Sequence, residues 1–267
     1  METRSFLFQN KKIAYKVYGE GRPVILLHGF GEHSNIWEPQ IKFLEPHFRL
    51  IVPDIPGSGE SELVPDANID TYADIIKELC DIEPGMILEG AVLIGHSMGG
   101  YITLAFAEKY PQYLKSFGLF HSSAFADAEE KKETRRKAIE FIKEKGAGSF
   151  IKTSTPNLFT ESYKEKHPAK VAKLIEEGNK FTNEALIQYY EAMIARPDRT
   201  GILKSYQQPI LFIIGEHDKA IPFEDSMKQC HLPSQSHVHI LRESAHMGMW
   251  EEADKVNDIL LSFLQVS

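Results

Sequence analysis

The chain has 267 residues, 42% hydrophobic and 25% charged, which suits one globular catalytic domain or one domain with a sizeable insertion. Its formal charge of -8 argues against a nucleic-acid partner, because backbone phosphates must be met by clustered Lys and Arg; small, neutral or weakly polar molecules fit better. Its two cysteines, Cys80 and Cys230, are too few for a disulfide framework or a zinc cluster and read as buried or half-buried free thiols.

The N-terminal residues show no apolar core of secretory-signal length, and no apolar run approaches the roughly 18 residues a membrane helix needs. The expectation is a cytoplasmic protein with no membrane partner. Along the chain, residues 24–27 form a short, continuously apolar run that stops at His28-Gly29. A second run, 49–52, stops at Pro53-Asp54, and a third, 91–94, stops at Gly95. Runs apolar on both faces suit parallel strands covered by helices on both sides. Between them, Ile75, Ile76 and Leu79 recur at helical spacing over 72–79. Alternating strand and helix predicts an α/β sheet, mostly parallel.

From about Asp127 the texture changes. Residues 127–145 carry a charge run that includes Glu129, Glu130, Lys131, Arg135 and Arg136, with apolar residues settling at Ala138, Ile139, Phe141 and Ile142. This predicts an exposed helix with a narrow buried stripe, its charges forming a solvated face. Further helical pieces are expected around 171–177 and 183–195, punctuated by Pro156, Pro168 and Pro197, with no strand signal between. The α/β texture returns with a strand over 210–214, a last strand over 237–241 and a C-terminal helix marked by Met249, Trp250, Ala253, Val256, Leu260 and Phe263. The organisation is therefore an α/β core in two parts, 1–123 and 204–267, interrupted by a helical insertion over 124–203.

Gly95-His96-Ser97-Met98-Gly99 matches GxSxG. It lies directly after one strand signal and directly before a helix, the setting of a nucleophile elbow. A serine hydroxyl needs a base and an orienting acid, here in the order serine, acid, histidine. His246 comes late, after the last strand; Asp218 follows the 210–214 strand, with Glu216 and Asp225 as competitors. Backbone amides of Phe30, after the first strand, and of Met98 are the expected oxyanion donors. His28 reads as a buried, hydrogen-bonded histidine. His237 and His239 share a strand face without a third ligand nearby, so no metal site is expected.

Taken together, Leu27-His28-Gly29-Phe30-Gly31, the 54–61 segment from Asp54 to Ser61, Gly95-His96-Ser97-Met98-Gly99-Gly100, Gly215-Glu216-His217-Asp218 and Ser244-Ala245-His246 resemble the α/β-hydrolase fold family. The resemblance is to the branch of small esterases and carbon–carbon-bond hydrolases with a helical cap. It implies a Ser97-His246-Asp218 triad acting on a small, largely apolar carboxylic ester without metal or organic cofactor, in a monomer or loose homodimer, Asp54 being structural. It also implies that the insertion is a lid, with aromatics such as Phe125, Phe150, Tyr189 and Tyr190 divided between lid packing and an apolar pocket. Two rivals remain. The same triad could cleave a carbon–carbon bond or, as a lyase, eliminate a small group, which a lid arginine such as Arg196 or Arg199 recognising a substrate carboxylate would favour. The same fold could also serve as a small-molecule receptor, which a single slow turnover with a ligand-dependent partner would reveal.

Overall fold

Strands whose side chains are apolar on both faces can be buried only in the middle of a layered structure. The computed structural model, which describes residues 1–86 and 90–267, shows that arrangement. Its strands are β1 (Glu2–Phe8), β2 (Lys11–Tyr18), β3 (Pro23–Leu27), β4 (Arg49–Pro53), β5 (Ala91–His96), β6 (Leu114–Phe120), β7 (Ile210–Gly215) and β8 (Ser236–Leu241). They form one sheet in the order β1-β2-β4-β3-β5-β6-β7-β8. The β1–β2 and β2–β4 pairs are antiparallel, and every pair from β4 to β8 is parallel.

Three of these strands lie outside the expected set. β1 and β2 form a hairpin whose alternating, half-exposed pattern is weaker than a continuous run; its two-residue turn, Gln9-Asn10, has both φ angles positive (50° and 61°). In β6, Lys115, Ser116 and Gly118 interrupt the apolar signal, although both faces are covered.

Helices α1 (Glu38–Leu44), α2 (Ile69–Ile82) and α3 (Met98–Lys109) follow β3, β4 and β5. Six more fill the interval between β6 and β7: α4 (Glu129–Lys145), α5 (Ala147–Ser154), α6 (Glu161–Lys166), α7 (Pro168–Gly178), α8 (Asn183–Ala195) and α9 (Thr200–Ser205). The chain closes with α10 (Phe223–Cys230), α11 (Gly248–Glu251) and α12 (Ala253–Val266). The expected C-terminal helix is thus divided at Glu252, whose carboxylate turns back to accept from the Glu243 amide (3.0 Å) and Ser244 Oγ (2.7 Å).

Strand periodicity partitions the core. Ile25, Leu27, Leu93 and Phe212 face one apolar cluster with α2 and α3, while Val24, Leu26, Val92, Ile94, Leu211 and Ile213 face another with α1 and α12. Between β6 and β7 the described residues form no strand, and the two ends of that helical stretch are tied together: the Arg199 amide donates to the Ala124 carbonyl at 2.8 Å, and Arg196 to the Phe125 carbonyl at 3.1 Å. No helix among the described residues is long and apolar enough to cross a membrane.

Candidate active site

The GxSxG run occupies the turn from β5 into α3. Ser97 has φ 51° and ψ −115°, a backbone conformation that costs a non-glycine residue about 1–3 kcal/mol. Its surroundings hold it there. The Ser97 amide donates to the Phe120 carbonyl at 2.9 Å, and its carbonyl accepts from Ser122 Oγ at 2.8 Å and the Gly100 amide at 2.9 Å. The flanking glycines are required by close approach: a Cβ on Gly95 would lie 2.3 Å from the Gly99 carbonyl oxygen, and one on Gly99 2.5 Å from that of Leu27.

His246 comes from the loop between β8 and α11. Its Nδ1 meets Asp218 Oδ2 at 2.7 Å, and its amide donates to the Leu158 carbonyl at 2.9 Å. Asp218 caps its own turn as well, Oδ1 accepting from the amides of Ala220 (2.8 Å) and Ile221 (2.9 Å). Burial works to raise the Asp218 pKa, but the neighbouring His246 and His121 rings outweigh it and hold the carboxyl below the usual range. An ionised Asp218 can only accept, so Nδ1 of His246 is the donor in this contact and the ring's Nε2 takes no part in it. Ser97, His246 and Phe30 all line one cavity of about 780 Å³, a volume that suits a small organic ligand.

The amides of Phe30 and Met98 have no hydrogen-bond partner among the described residues. Both belong to elements that converge on Ser97, the Phe30 loop at the end of β3 and Met98 at the first position of α3. Such unengaged donors can stabilise developing negative charge.

Other singled-out residues fall as follows. His28 is fully buried, Nδ1 bonded to the Gly29 carbonyl (2.8 Å) and Nε2 accepting from the Ile55 amide (2.9 Å); burial lowers its pKa and keeps it neutral. Asp54 accepts from the amides of Ser34 (2.8 Å) and Glu60 (3.0 Å), which shapes the loop. Glu216 is exposed and Asp225 pairs with Lys228 on its own helix at 2.7 Å, so neither touches His246. His237 and His239 lie half-buried on β8, and no metal-binding group of three or more His, Cys, Asp or Glu occurs among the described residues. Arg199 is engaged by Asp70 (2.6 Å) and Glu108 (2.9 Å), away from the cavity; Arg196 lines the cavity.

Three groups near the site escaped sequence reasoning. His96, the variable residue of the motif, is fully buried, with Nδ1 3.0 Å from Glu32 Oε2 and Nε2 2.9 Å from the His246 carbonyl. His121 flanks Asp218 with Nδ1 3.4 Å from Oδ2; burial pulls its pKa down to about 4, so the ring is neutral. Arg135 corrects the expectation of a wholly solvated charge run: its side chain is 12% exposed, bonded to Asp127 and on the cavity wall. The signal was present as helical spacing, since Arg135 precedes the buried Ile139 and Ile142 by four and seven positions and so shares their stripe.

Comparison with known proteins agrees with this architecture. A family model described as the alpha/beta hydrolase fold matches residues 22–253. A thermophilic esterase from Thermogutta terrifontis, solved with malate bound, superposes with a TM-score of 0.89 at 31% identity, covering 96% of this chain and 93% of that one. The enol-lactonase from Burkholderia xenovorans LB400 shares the fold, with a TM-score of 0.90 at 22% identity over 98% of this chain and 100% of that one. The 2-hydroxy-6-oxo-6-phenylhexa-2,4-dienoate hydrolase of Comamonas testosteroni is 26% identical over 277 residues, 95% of this chain and 91% of its own length.

Proposed function

This chain belongs to the α/β-hydrolase fold family, and on that premise we propose that it is a serine hydrolase of small carboxylic esters. The observation that carries the reading is the 2.7 Å contact between His246 Nδ1 and Asp218, in a cavity that Ser97 also lines. In the proposed reaction His246 Nε2 takes the Ser97 hydroxyl proton as Oγ attacks the ester carbonyl. Asp218 stabilises the resulting imidazolium. Amides of Phe30 and Met98 receive the oxyanion of the tetrahedral intermediate, worth about 10²–10³ in rate for each donor. His246 returns the proton to the departing alcohol, an acyl-enzyme remains on Ser97, and water activated by the same histidine releases the acid.

In this reading the 124–203 helices act as a lid. Tyr190 from α8 lies 4.3 Å, ring to ring, from Phe30, and the Leu158 carbonyl holds the His246 amide, so lid and catalytic loops share contacts. The 31% identity to the Thermogutta terrifontis esterase supports ester chemistry. A second reading, carbon–carbon cleavage by the same triad, draws its support from the Comamonas testosteroni relative.

The test is Ser97→Ala assayed on p-nitrophenyl acetate and butyrate, with circular dichroism to establish folding. Turnover is expected to fall by about 10⁴-fold or more; a folded variant with full activity refutes the reading. Turnover of a 2-hydroxy-6-oxodienoate with no ester hydrolysis would move the assignment to the second reading.

A further inference from the structure

One part of the cavity wall carries charge that the ester reaction does not use. Asp127, with its side chain 1% exposed, stands at the start of the helical stretch and accepts from two arginines: Arg196 at Oδ1 (2.9 Å) and Arg135 at Oδ2 (2.6 Å). The two guanidinium groups hold its carboxyl down at about 2 against the effect of burial. Two cations on one anion leave one positive charge in excess. Arg196 is almost wholly engaged, donating to the Met193 and Phe125 carbonyls and lying 3.8 Å over the Tyr101 ring, although its buried Nε has no partner among the described residues. Arg135 is different. Its Nε is bonded to Asp127, but neither terminal nitrogen has a hydrogen-bond partner among the described residues. Its guanidinium lies 5.6 Å over the Tyr190 ring, which in turn is 4.3 Å from the Phe30 ring, next to the amide assigned to the oxyanion.

A mostly buried guanidinium fork whose terminal N–H groups open on the cavity is available to a ligand acceptor, and a carboxylate is the planar anion whose two oxygens match it. The other charged residues on the cavity wall, Glu32, Glu130 and Asp225 against Lys131, Lys219 and Lys228, balance one another, so the excess remains one positive charge; one carboxylate meets it, whereas a phosphate would bring nearly two. The chain as a whole carries -8, so this positive wall is not a consequence of composition.

We propose that Arg135 anchors a free carboxylate on the substrate; joined to the ester chemistry proposed above, this makes the substrate a half-ester of a short dicarboxylic acid or an ester whose alcohol bears an acid group. The reaction on that substrate rests on the serine-hydrolase reading; the binding of the carboxylate does not.

Two matched pairs test it: p-nitrophenyl hemiglutarate against p-nitrophenyl 5-methylhexanoate, whose isopropyl end has the carboxylate's shape, and 4-acetoxybenzoate against its methyl ester. In the wild type the charged member of one pair is expected to have a kcat/KM about tenfold or more above its neutral partner, the scale of charge-assisted hydrogen bonds to a partly buried arginine. In Arg135→Gln that ratio falls towards one, and Arg135→Lys retains part of it. The ratio is internal to each variant, so loss of folded protein lowers both rates and leaves it unchanged. Ratios at or below one for both pairs in the wild type, or a ratio untouched by Arg135→Gln, overturn the proposal. Calorimetric titration of Ser97→Ala with glutarate separates binding from turnover. Saturable binding weakened about tenfold by adding Arg135→Gln supports the carboxylate site even if no ester is hydrolysed. Absence of glutarate binding in a protein that hydrolyses neutral esters removes the site and leaves the hydrolase reading standing.

Discussion

Replacing Glu32 by glutamine removes one negative charge from beneath the active site while keeping the side chain's shape. Glu32 Oε2 accepts from the Gly29 amide at 2.7 Å and faces His96 Nδ1 at 3.0 Å; His96 Nε2 faces the His246 carbonyl at 2.9 Å. With the Glu32 carboxylate at one ring nitrogen and a carbonyl at the other, both contacts favour the imidazolium form of His96. Burial works to lower its pKa, and the Glu32 carboxylate outweighs burial and raises it. Glutamine can still accept from Gly29 through its amide oxygen, but the ring loses its counter-charge. Keeping the ring charged would then cost about 3–5 kcal/mol, the penalty for breaking a buried pair. Releasing the proton leaves Nε2 and the His246 carbonyl as two acceptors face to face, an unmade bond of about 1–3 kcal/mol. The cheaper route wins, so Glu32→Gln is expected to destabilise the fold by about 1–3 kcal/mol.

The pH dependence has a definite sign. The raised pKa of His96 gives stability fully present below the unfolded value of 6.5 and lost as pH rises through the folded value. For Glu32, burial works to raise the pKa but the His96 charge outweighs it; the lowered value gives stability present above 4.5 and lost as pH falls through the folded value. The difference between wild type and Glu32→Gln is therefore largest between 4.5 and 6.5 and shrinks in alkali. Urea unfolding at about pH 6 and about pH 9 measures it. A difference below about 0.5 kcal/mol at the lower pH, within the scatter of an ordinary surface change, or one that is equal at both, refutes the imidazolium–carboxylate pair.

Asp218→Asn keeps an oxygen for the Ala220 and Ile221 amides but no longer fixes the His246 proton on Nδ1; kcat on a p-nitrophenyl ester is expected to fall by about 10⁴ with the melting temperature little changed, and a loss under tenfold would contradict the role given to this carboxylate. Gly99→Ala places a methyl group 2.5 Å from the Leu27 carbonyl and 2.7 Å from that of His28; a thermal melt should show a loss of about 1–3 kcal/mol, accompanied by reduced activity, and an unperturbed melt would mean that the elbow tolerates a side chain there.

The central sheet was legible because β3, β4, β5 and β7 are buried on both faces, which leaves a continuous apolar run that survives any uncertainty about register. The β1–β2 hairpin was not, since Glu2, Thr3, Ser5, Leu7 and Lys12 are exposed and Arg4, Lys11 and Lys16 half-buried, which leaves the buried Ile13, Tyr15 and Val17 in an alternating pattern weaker than a continuous run. At the site, chain order and the strand–turn–helix setting led to Ser97, Asp218 and His246, and the structure brings Asp218 and His246 into contact beside the cavity that Ser97 lines. Glu32, His96 and His121 were invisible because their partners are distant in sequence: Glu32 and His96 are 64 residues apart, and His96 meets a carbonyl 150 residues on. Arg135 was hidden by its neighbours, since a cation within a run of charges looks solvated until the helical stripe it shares with Ile139 and Ile142 is traced.

The proposed reaction requires Ser97 to be a nucleophile activated by His246. Treatment with a fluorophosphonate, which captures an activated serine covalently, followed by peptide mass spectrometry, tests this most directly. The predicted result is a single adduct on the peptide containing Ser97, formed in the wild type and lost in His246→Ala. Esterase activity that persists with Ser97 unmodified, or an adduct on a different serine, would contradict it.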